Sequence, residues 1–365
     1  MAELPKTVSP RYGRMLDDFL VGETYQHPWE VTIDDGLLAI FAASFLDPNP
    51  LYSSSRYARE LGFRDRVVHP LVLLNLAIGY SVHDVSEQAI AHLAYINVRF
   101  PRAAHPGDTL TAHSTVLGVR VSESRPDRGI VHIRTKGLNQ DGVPVIVFER
   151  KALIPAGELE SRGHSRQDAW SELGSVTAES PDALLPPELA RSYAIPERRG
   201  RMRGLFEDFE VGDIILHENG RTVGETEHMQ LTMLSRNSHP LHFDEVYSKT
   251  RSIAKTRVVC GPLVFAWMVS LASRDTTANA LWEIGFDKGG HPAPVLAGDT
   301  LFAASKVIGK TDHPGPAGVV RLKLIGVKNT TPRSLFESGI DLFEGKYDQK
   351  VFETEREVLL PKSSR

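Results

Sequence analysis

The chain contains one long series of motifs twice. Asp17-Asp18-Phe19-Leu20-Val21-Gly22-Glu23 returns as Glu207-Asp208-Phe209-Glu210-Val211-Gly212-Asp213, an offset of 190 residues. In the same order, Asp47-Pro48-Asn49-Pro50-Leu51-Tyr52 answers to Asn237-Ser238-His239-Pro240-Leu241-His242, and Arg66-Val67-Val68-His69-Pro70 answers to Arg257-Val258-Val259-Cys260-Gly261. Pro106-Gly107-Asp108-Thr109-Leu110 answers to Ala297-Gly298-Asp299-Thr300-Leu301. Solenoid and propeller repeats recur every 20 to 50 residues or about that, so a period this long means a whole domain duplicated in tandem. The 365 residues hold two such units, read as residues 12–157 and 201–361. Between them, residues 158–200 are rich in Gly, Ser, Pro and charge, which predicts an exposed crossover with one short helix.

Both units read alike. Thr32-x-x-Asp35 ahead of Leu37, Leu38, Ile40 and Phe41 has the capping-box pattern and predicts a helix through Phe45; Thr222-x-x-Glu225 repeats it. The proline-bearing segment that follows forces the backbone out of helix into a turn, where side chains are free for chemistry. Then comes a helix apolar nearly all round, Pro70 to Val82 in one unit and Pro262 to Ala272 in the other. Such a helix must be enclosed. The β-rich segments that follow it (Tyr95 to Phe100, Leu110 to Val121, Gly129 to Leu138 and Val145 to Ile154) supply the wall. Their second-unit counterparts run over Thr300 to Ile308, Gly318 to Val327 and Val351 to Leu360. The class is α+β: an antiparallel sheet wrapped on a buried helix, twice.

Bulk properties exclude several functions. A net charge of −4, with no Lys/Arg cluster interleaved with aromatics, argues against a nucleic-acid partner. The single cysteine, Cys260, excludes an internal disulfide framework and a thiolate metal cluster, and it suits a reducing, cytoplasmic setting. Residues 1–14 contain no apolar signal core, and the run from Leu71 to Ile78 is too short to span a bilayer. Although there are 14 histidines, the nearest pairs, such as His239 and His242, lack a third ligand at a recognisable spacing, so no metal is expected.

These motifs resemble the MaoC-type enoyl-CoA hydratases. Their hotdog fold wraps a sheet on one helix and carries a D-x-N-P-L-H turn, and two tandem copies are similar to the double-hotdog members. More narrowly, Asn237-x-x-x-x-His242-Phe243 with Gly298-Asp299-Thr300 resembles the mesaconyl-CoA hydratase, or β-methylmalyl-CoA dehydratase, group. The resemblance implies reversible hydration of a short branched enoyl-CoA, with a CoA-thioester as substrate partner and no further cofactor. A homo-oligomer of the pseudo-dimeric chain is compatible with it.

It also implies site residues. In that family a His and an Asp of the turn do the base work, and a backbone N–H at the start of the enclosed helix holds the thioester oxygen. The second unit has His242 as a titratable base and Gly261 as an N–H donor, whereas the first has Tyr52 and Pro70, a poor base and a residue with no N–H. Catalysis is therefore expected in the second unit, with the first, including Asp47 and Tyr52, shaping the substrate pocket. The aspartate position of the second unit is Asn237, which cannot accept a proton but can orient a water. A dicarboxylic substrate needs a cation, for which Arg236, Arg257 and Arg99 are candidates by position. Alternatives are a hydratase for another enoyl-CoA, a hotdog thioesterase, or an acyl-CoA-binding protein without activity.

Overall fold

Two helices without a polar face set the architecture. In the computed structural model, which describes residues 11–157, 185–189, 204–313 and 315–363, helix α3 (Pro70–Ser81) has every residue buried. Helix α6 (Gly261–Thr276) is buried from Pro262 to Ser270 without a break. Antiparallel strands enclose both. β1 (Thr24–Thr32), β2 (Ala91–Arg99), β3 (Thr109–Val121), β4 (Arg128–Leu138) and β5 (Pro144–Pro155) belong to the first half. β6 (Ile214–Leu216), β7 (Arg221–Thr222), β8 (Trp282–Gly290), β9 (Thr300–Asp312), β10 (Ala317–Lys328) and β11 (Lys350–Pro361) belong to the second. The layout is that of the expected double hotdog.

All strands form one sheet in the order β1-β3-β4-β5-β2-β8-β11-β10-β9-β6, with β7 beside β9. The halves meet where β2 pairs with β8, Tyr95 opposite Gly289, Val98 opposite Phe286 and Arg99 opposite Gly285. Glycine is needed there, because a Cβ on Gly285 would stand 2.1 Å from the Val98 carbonyl oxygen. Below the sheet α3 and α6 pack on one another, so one apolar core runs through both halves. Among the described residues no helix is long and apolar enough to cross a membrane.

Local expectations differ from the structure in three places. Thr32 and Thr222 do not cap helices. They end β1 and β7, where their hydroxyls pair across the sheet with Thr109 and Thr300 at 2.9 and 2.8 Å. Helix α1 (Asp35–Phe45) is capped by Asp34, whose carboxylate accepts from the Leu37 N–H, and α4 (Glu225–Leu234) starts from Gly224 without a side-chain cap. Sheet pairing thus wins over local capping. Second, short helices α2 (Ser55–Glu60) and α5 (Glu245–Arg251) follow the two proline turns. Third, most of the crossover lies outside the described residues, but Leu185 and Leu189 within it are buried in the main core and not exposed.

One contact fixes the second-half turn against the first-half helix. A Cβ added to Gly79 in α3 would stand 1.8 Å from the Ser235 carbonyl oxygen and 3.2 Å from the Asn237 nitrogen. Gly79→Ala should therefore destabilise the protein by about 1–3 kcal/mol through overpacking, read as a lower urea midpoint with an unchanged m-value.

Candidate active site

The two turns are built alike and differ in what they leave free. Each follows a residue in the left-handed region, Leu46 at φ 55° and Arg236 at φ 61°, which reverses the chain after α1 and α4. The Asp47 carboxylate accepts from the Asn49 N–H at 2.9 Å, and the Asn237 amide oxygen accepts from the His239 N–H at 3.0 Å. Asn237 donates its NH₂ to Cys260 Sγ at 3.2 Å, so its amide ties the turn to the segment that leads into α6.

His239 does in the second turn what Asn49 does in the first. Asn49 accepts from the Leu51 N–H and donates to the Ala280 carbonyl at 2.9 Å; His239 accepts through Nδ1 from the Leu241 N–H and donates through Nε2 to the Ala89 carbonyl at 3.0 Å. Both ring nitrogens of His239 are consumed. His242 is held differently. Its Nδ1 lies 2.8 Å from the Val258 carbonyl, and a carbonyl only accepts, so Nδ1 carries the proton and Nε2 keeps a lone pair. Burial, with His239 beside it, pushes the His242 pKa down to about 3, so the ring is neutral at pH 7.

Three residues beyond Val258, Gly261 opens α6. As the first helical residue it has no intrahelical acceptor for its N–H. Space also favours a glycine, since a Cβ would stand 2.9 Å from His291 Nε2 and 3.1 Å from the Tyr95 hydroxyl. Tyr95, on β2 of the first half, reaches His291 Nε2 at 3.2 Å, and the His92 ring lies 4.1 Å from the Tyr95 ring. Cys260 is buried, and burial pushes its thiol up to about 12. It is no thiolate at neutral pH.

The corresponding region of the first half is filled. Pro70 opens α3, and Tyr52 packs on His69 with ring centroids 4.5 Å apart. Asp47 accepts from Ser273 Oγ at 2.7 Å and faces His69 Nε2 at 3.3 Å. Burial raises the Asp47 pKa, but these hydrogen bonds outweigh it and hold the carboxyl below its ordinary value. Beside them Glu283 and Arg356 form a buried ion pair, with Nη2 to Oε2 at 2.6 Å.

The candidate cations are each engaged by other groups. Arg257 is paired by Glu225 and Glu245 and contacts Met229 Sδ. Arg236 is exposed, over the Trp29 ring at 5.6 Å. Arg99 bonds the Val98 and Phe286 carbonyls and lies 3.8 Å from Glu357. Sequence reading missed Tyr95, His92, His291 and Arg150. The repeat offset carried a signal for two of them, because His291 replaces Phe100 and His92 stands against Glu283.

These environments make stability depend on pH. Burial lowers the pKa of seven histidines, His27, His92, His113, His228, His239, His242 and His291. The unfolded chain, with histidines titrating near about 6.5, takes up more protons than the folded one below that pH. Stability present above pH 6.5 is therefore lost on acidification. Glu283, raised to about 7 by burial, works in the opposite sense, losing its contribution as pH rises. The histidines dominate below pH 6. The thermal midpoint should fall between pH 7 and 5. His291→Phe should flatten the dependence by one proton, about 1.4 kcal/mol per pH unit.

The family whose sequence model is described as mesaconyl-CoA hydratase matches residues 2–334. A mesaconyl-CoA hydratase of Cereibacter sphaeroides is 32% identical over 342 residues, 92% of this chain and 94% of that protein. A beta-methylmalyl-CoA dehydratase of Chloroflexus aurantiacus is 29% identical over 358 residues, 96% and 97% of the two chains. Among solved structures, a MaoC domain protein dehydratase from Chloroflexus aurantiacus superposes with a TM-score of 0.79 at 27% identity, covering 98% of this chain and 100% of that one. A double-hotdog protein of Mycobacterium tuberculosis, at 21% identity and a TM-score of 0.74 over 95% and 98% of the two chains, shares the fold. With a family match over nearly its whole length and two hotdog halves in one sheet, this chain belongs to the mesaconyl-CoA hydratase family.

Proposed function

We propose that the protein reversibly hydrates mesaconyl-CoA to β-methylmalyl-CoA, with the chemistry in the second half and the first half shaping the acyl pocket. The observation that carries this reading is the tautomer of His242: with Nδ1–H on the Val258 carbonyl, Nε2 is an unprotonated base. Water attacking Cβ gives a proton to Nε2 while electron density moves onto the thioester oxygen, where the Gly261 N–H and the positive end of α6 stabilise it. The imidazolium then returns a proton to Cα. Because burial makes the ring a weak base, its conjugate acid is strong and suits this second step. Asn237, with its amide engaged by the His239 N–H and Cys260, acts as a positioning residue. Asp47 and Tyr52 complete the packed wall on the first-half side.

A thioesterase would need a carboxylate base or nucleophile at this turn, and the position is Asn237. The two reactions separate in one assay. Loss of enoyl absorbance without release of free thiol is the expected result, and thiol release would overturn the hydratase reading. His242→Ala should lower kcat/KM by about 10²–10⁴-fold, with Tyr52→Phe far milder; comparable turnover in both would move the chemistry out of the second half.

The donor role is tested by a pair of variants. Gly261→Ala keeps the N–H and crowds His291 and Tyr95, whereas Gly261→Pro crowds them and removes the N–H. Turnover of the proline variant should be lower than that of the alanine variant by about 10²–10³-fold, both being checked for folding by circular dichroism. Equal rates would remove Gly261 from the mechanism.

A further inference from the structure

Arg150 is a buried cation without an anion. It is 1% exposed, donates to Ser81 Oγ at 2.6 Å and Ser86 Oγ at 3.2 Å, and leaves its Nε without a partner. No carboxylate among the described residues pairs with it. Burial draws its pKa down to about 10, the mark of a charge held in an unfavourable environment. Its bond to Ser81, the last residue of α3, sets it at the negative end of that helix, which offsets part of its charge.

The other half shows what is missing. Sheet register makes Arg150 and Arg356 equivalent, one opposite Tyr95 and the other opposite Phe286. The same register makes His92, opposite Ala152, the equivalent of Glu283, opposite Val358. Arg356 is neutralised by Glu283 through three hydrogen bonds of 2.6 to 3.1 Å. Arg150 has instead the imidazole of His92, both of whose ring nitrogens are buried and without partners. The copy beside the filled turn carries its own carboxylate, and the copy beside Tyr95, whose hydroxyl borders Gly261, lacks one. Buried charges are retained when they are paired.

We infer that Arg150 and His92 form the subsite for the distal carboxylate of a dicarboxylic enoyl-CoA, the substrate supplying to Arg150 the group that Glu283 supplies to Arg356. This rests on the hydratase reading above and names the element that selects its substrate. The guanidinium gives the charge, and His92, through whichever nitrogen carries its proton, gives a second donor. The His92 ring packs on Tyr95, whose hydroxyl borders Gly261, so the subsite adjoins the place assigned to the thioester oxygen.

The test uses full-length enzyme, mesaconyl-CoA, and 2-methylcrotonyl-CoA, in which a methyl group replaces the distal carboxylate. Arg150→Met removes the cation; His92→Glu builds into the chain the carboxylate that the other half already has. In both, the ratio of kcat/KM for the dicarboxylic over the monocarboxylic substrate should fall by roughly 10²-fold, the usual effect of unpairing a buried charge. Stabilisation of the wild type by millimolar free mesaconate in thermal unfolding should disappear in both. Should Arg150→Met fail to fold, His92→Glu carries the test alone. An unchanged ratio, with both substrates weakened alike, would make Arg150 structural and overturn the proposal, as would mesaconate stabilisation that persists in His92→Glu. A wild type that hydrates neither substrate, yet loses mesaconate stabilisation in the variants, would sink the hydratase reading and leave the carboxylate subsite standing.

Discussion

Each half holds the other's turn. His239 donates to the Ala89 carbonyl, and Asn49 donates to the Ala280 carbonyl, two equivalent hydrogen bonds across the seam between the halves. A proline turn detached from that seam would be a solvated loop with no fixed geometry. Anchored there, it presents the residue at its end to one place, and that residue is His242 in one copy and Tyr52 in the other. The buried helices supply the rest of the constraint. Enclosing α3 and α6 in one sheet forces β2 beside β8 and so brings Tyr95 and His92 of the first half to the start of α6 in the second. The place proposed for the chemistry therefore draws on both halves.

Duplication lets the two turns differ without loss of structure. At the first-half turn, Asp47 and His69 form a buried polar cluster with Ser273 of α6, beside the Glu283 and Arg356 ion pair of the second half. Around the second-half turn, Asn237 and Cys260 stand in place of Asp47 and His69, which removes a buried charge, and His92 of the first half stands in place of Glu283, which leaves Arg150 without a carboxylate. Beside the first-half turn, Arg356 has a carboxylate from the protein itself, although its Nη1 is without a partner. Arg150 has none and both ring nitrogens of His92 are open, and open buried polar groups are where a ligand gains most.

The duplication, the enclosed helices and the contrast of His242 with Tyr52 were all legible in the sequence, because motif repetition, apolar content and proline turns are local signals. The crossing of β2 to β8 was not, since it pairs residues nearly 200 positions apart and no periodicity marks it. The same separation hid Tyr95 and Arg150 from the site, although the offset between the repeats pointed to His92 and His291. Thr32 and Thr222 misled for a related reason: their capping pattern is genuine in composition, but cross-strand partners at Thr109 and Thr300 claim both hydroxyls. Arg236 and Arg257 were suggested by nearness in sequence to the turn. In the fold one lies over Trp29 and the other between Glu225 and Glu245.

The proposed chemistry depends most on the state of one imidazole. Nitrogen-15 NMR of histidine-labelled protein, with the His242 signals assigned by comparison with His242→Gln, reads that state directly. The neutral ring protonated on Nδ1, persisting from pH 8 down to pH 5, is the predicted result. A ring protonated on Nε2, or an imidazolium at neutral pH, would contradict the assignment of His242 as the base.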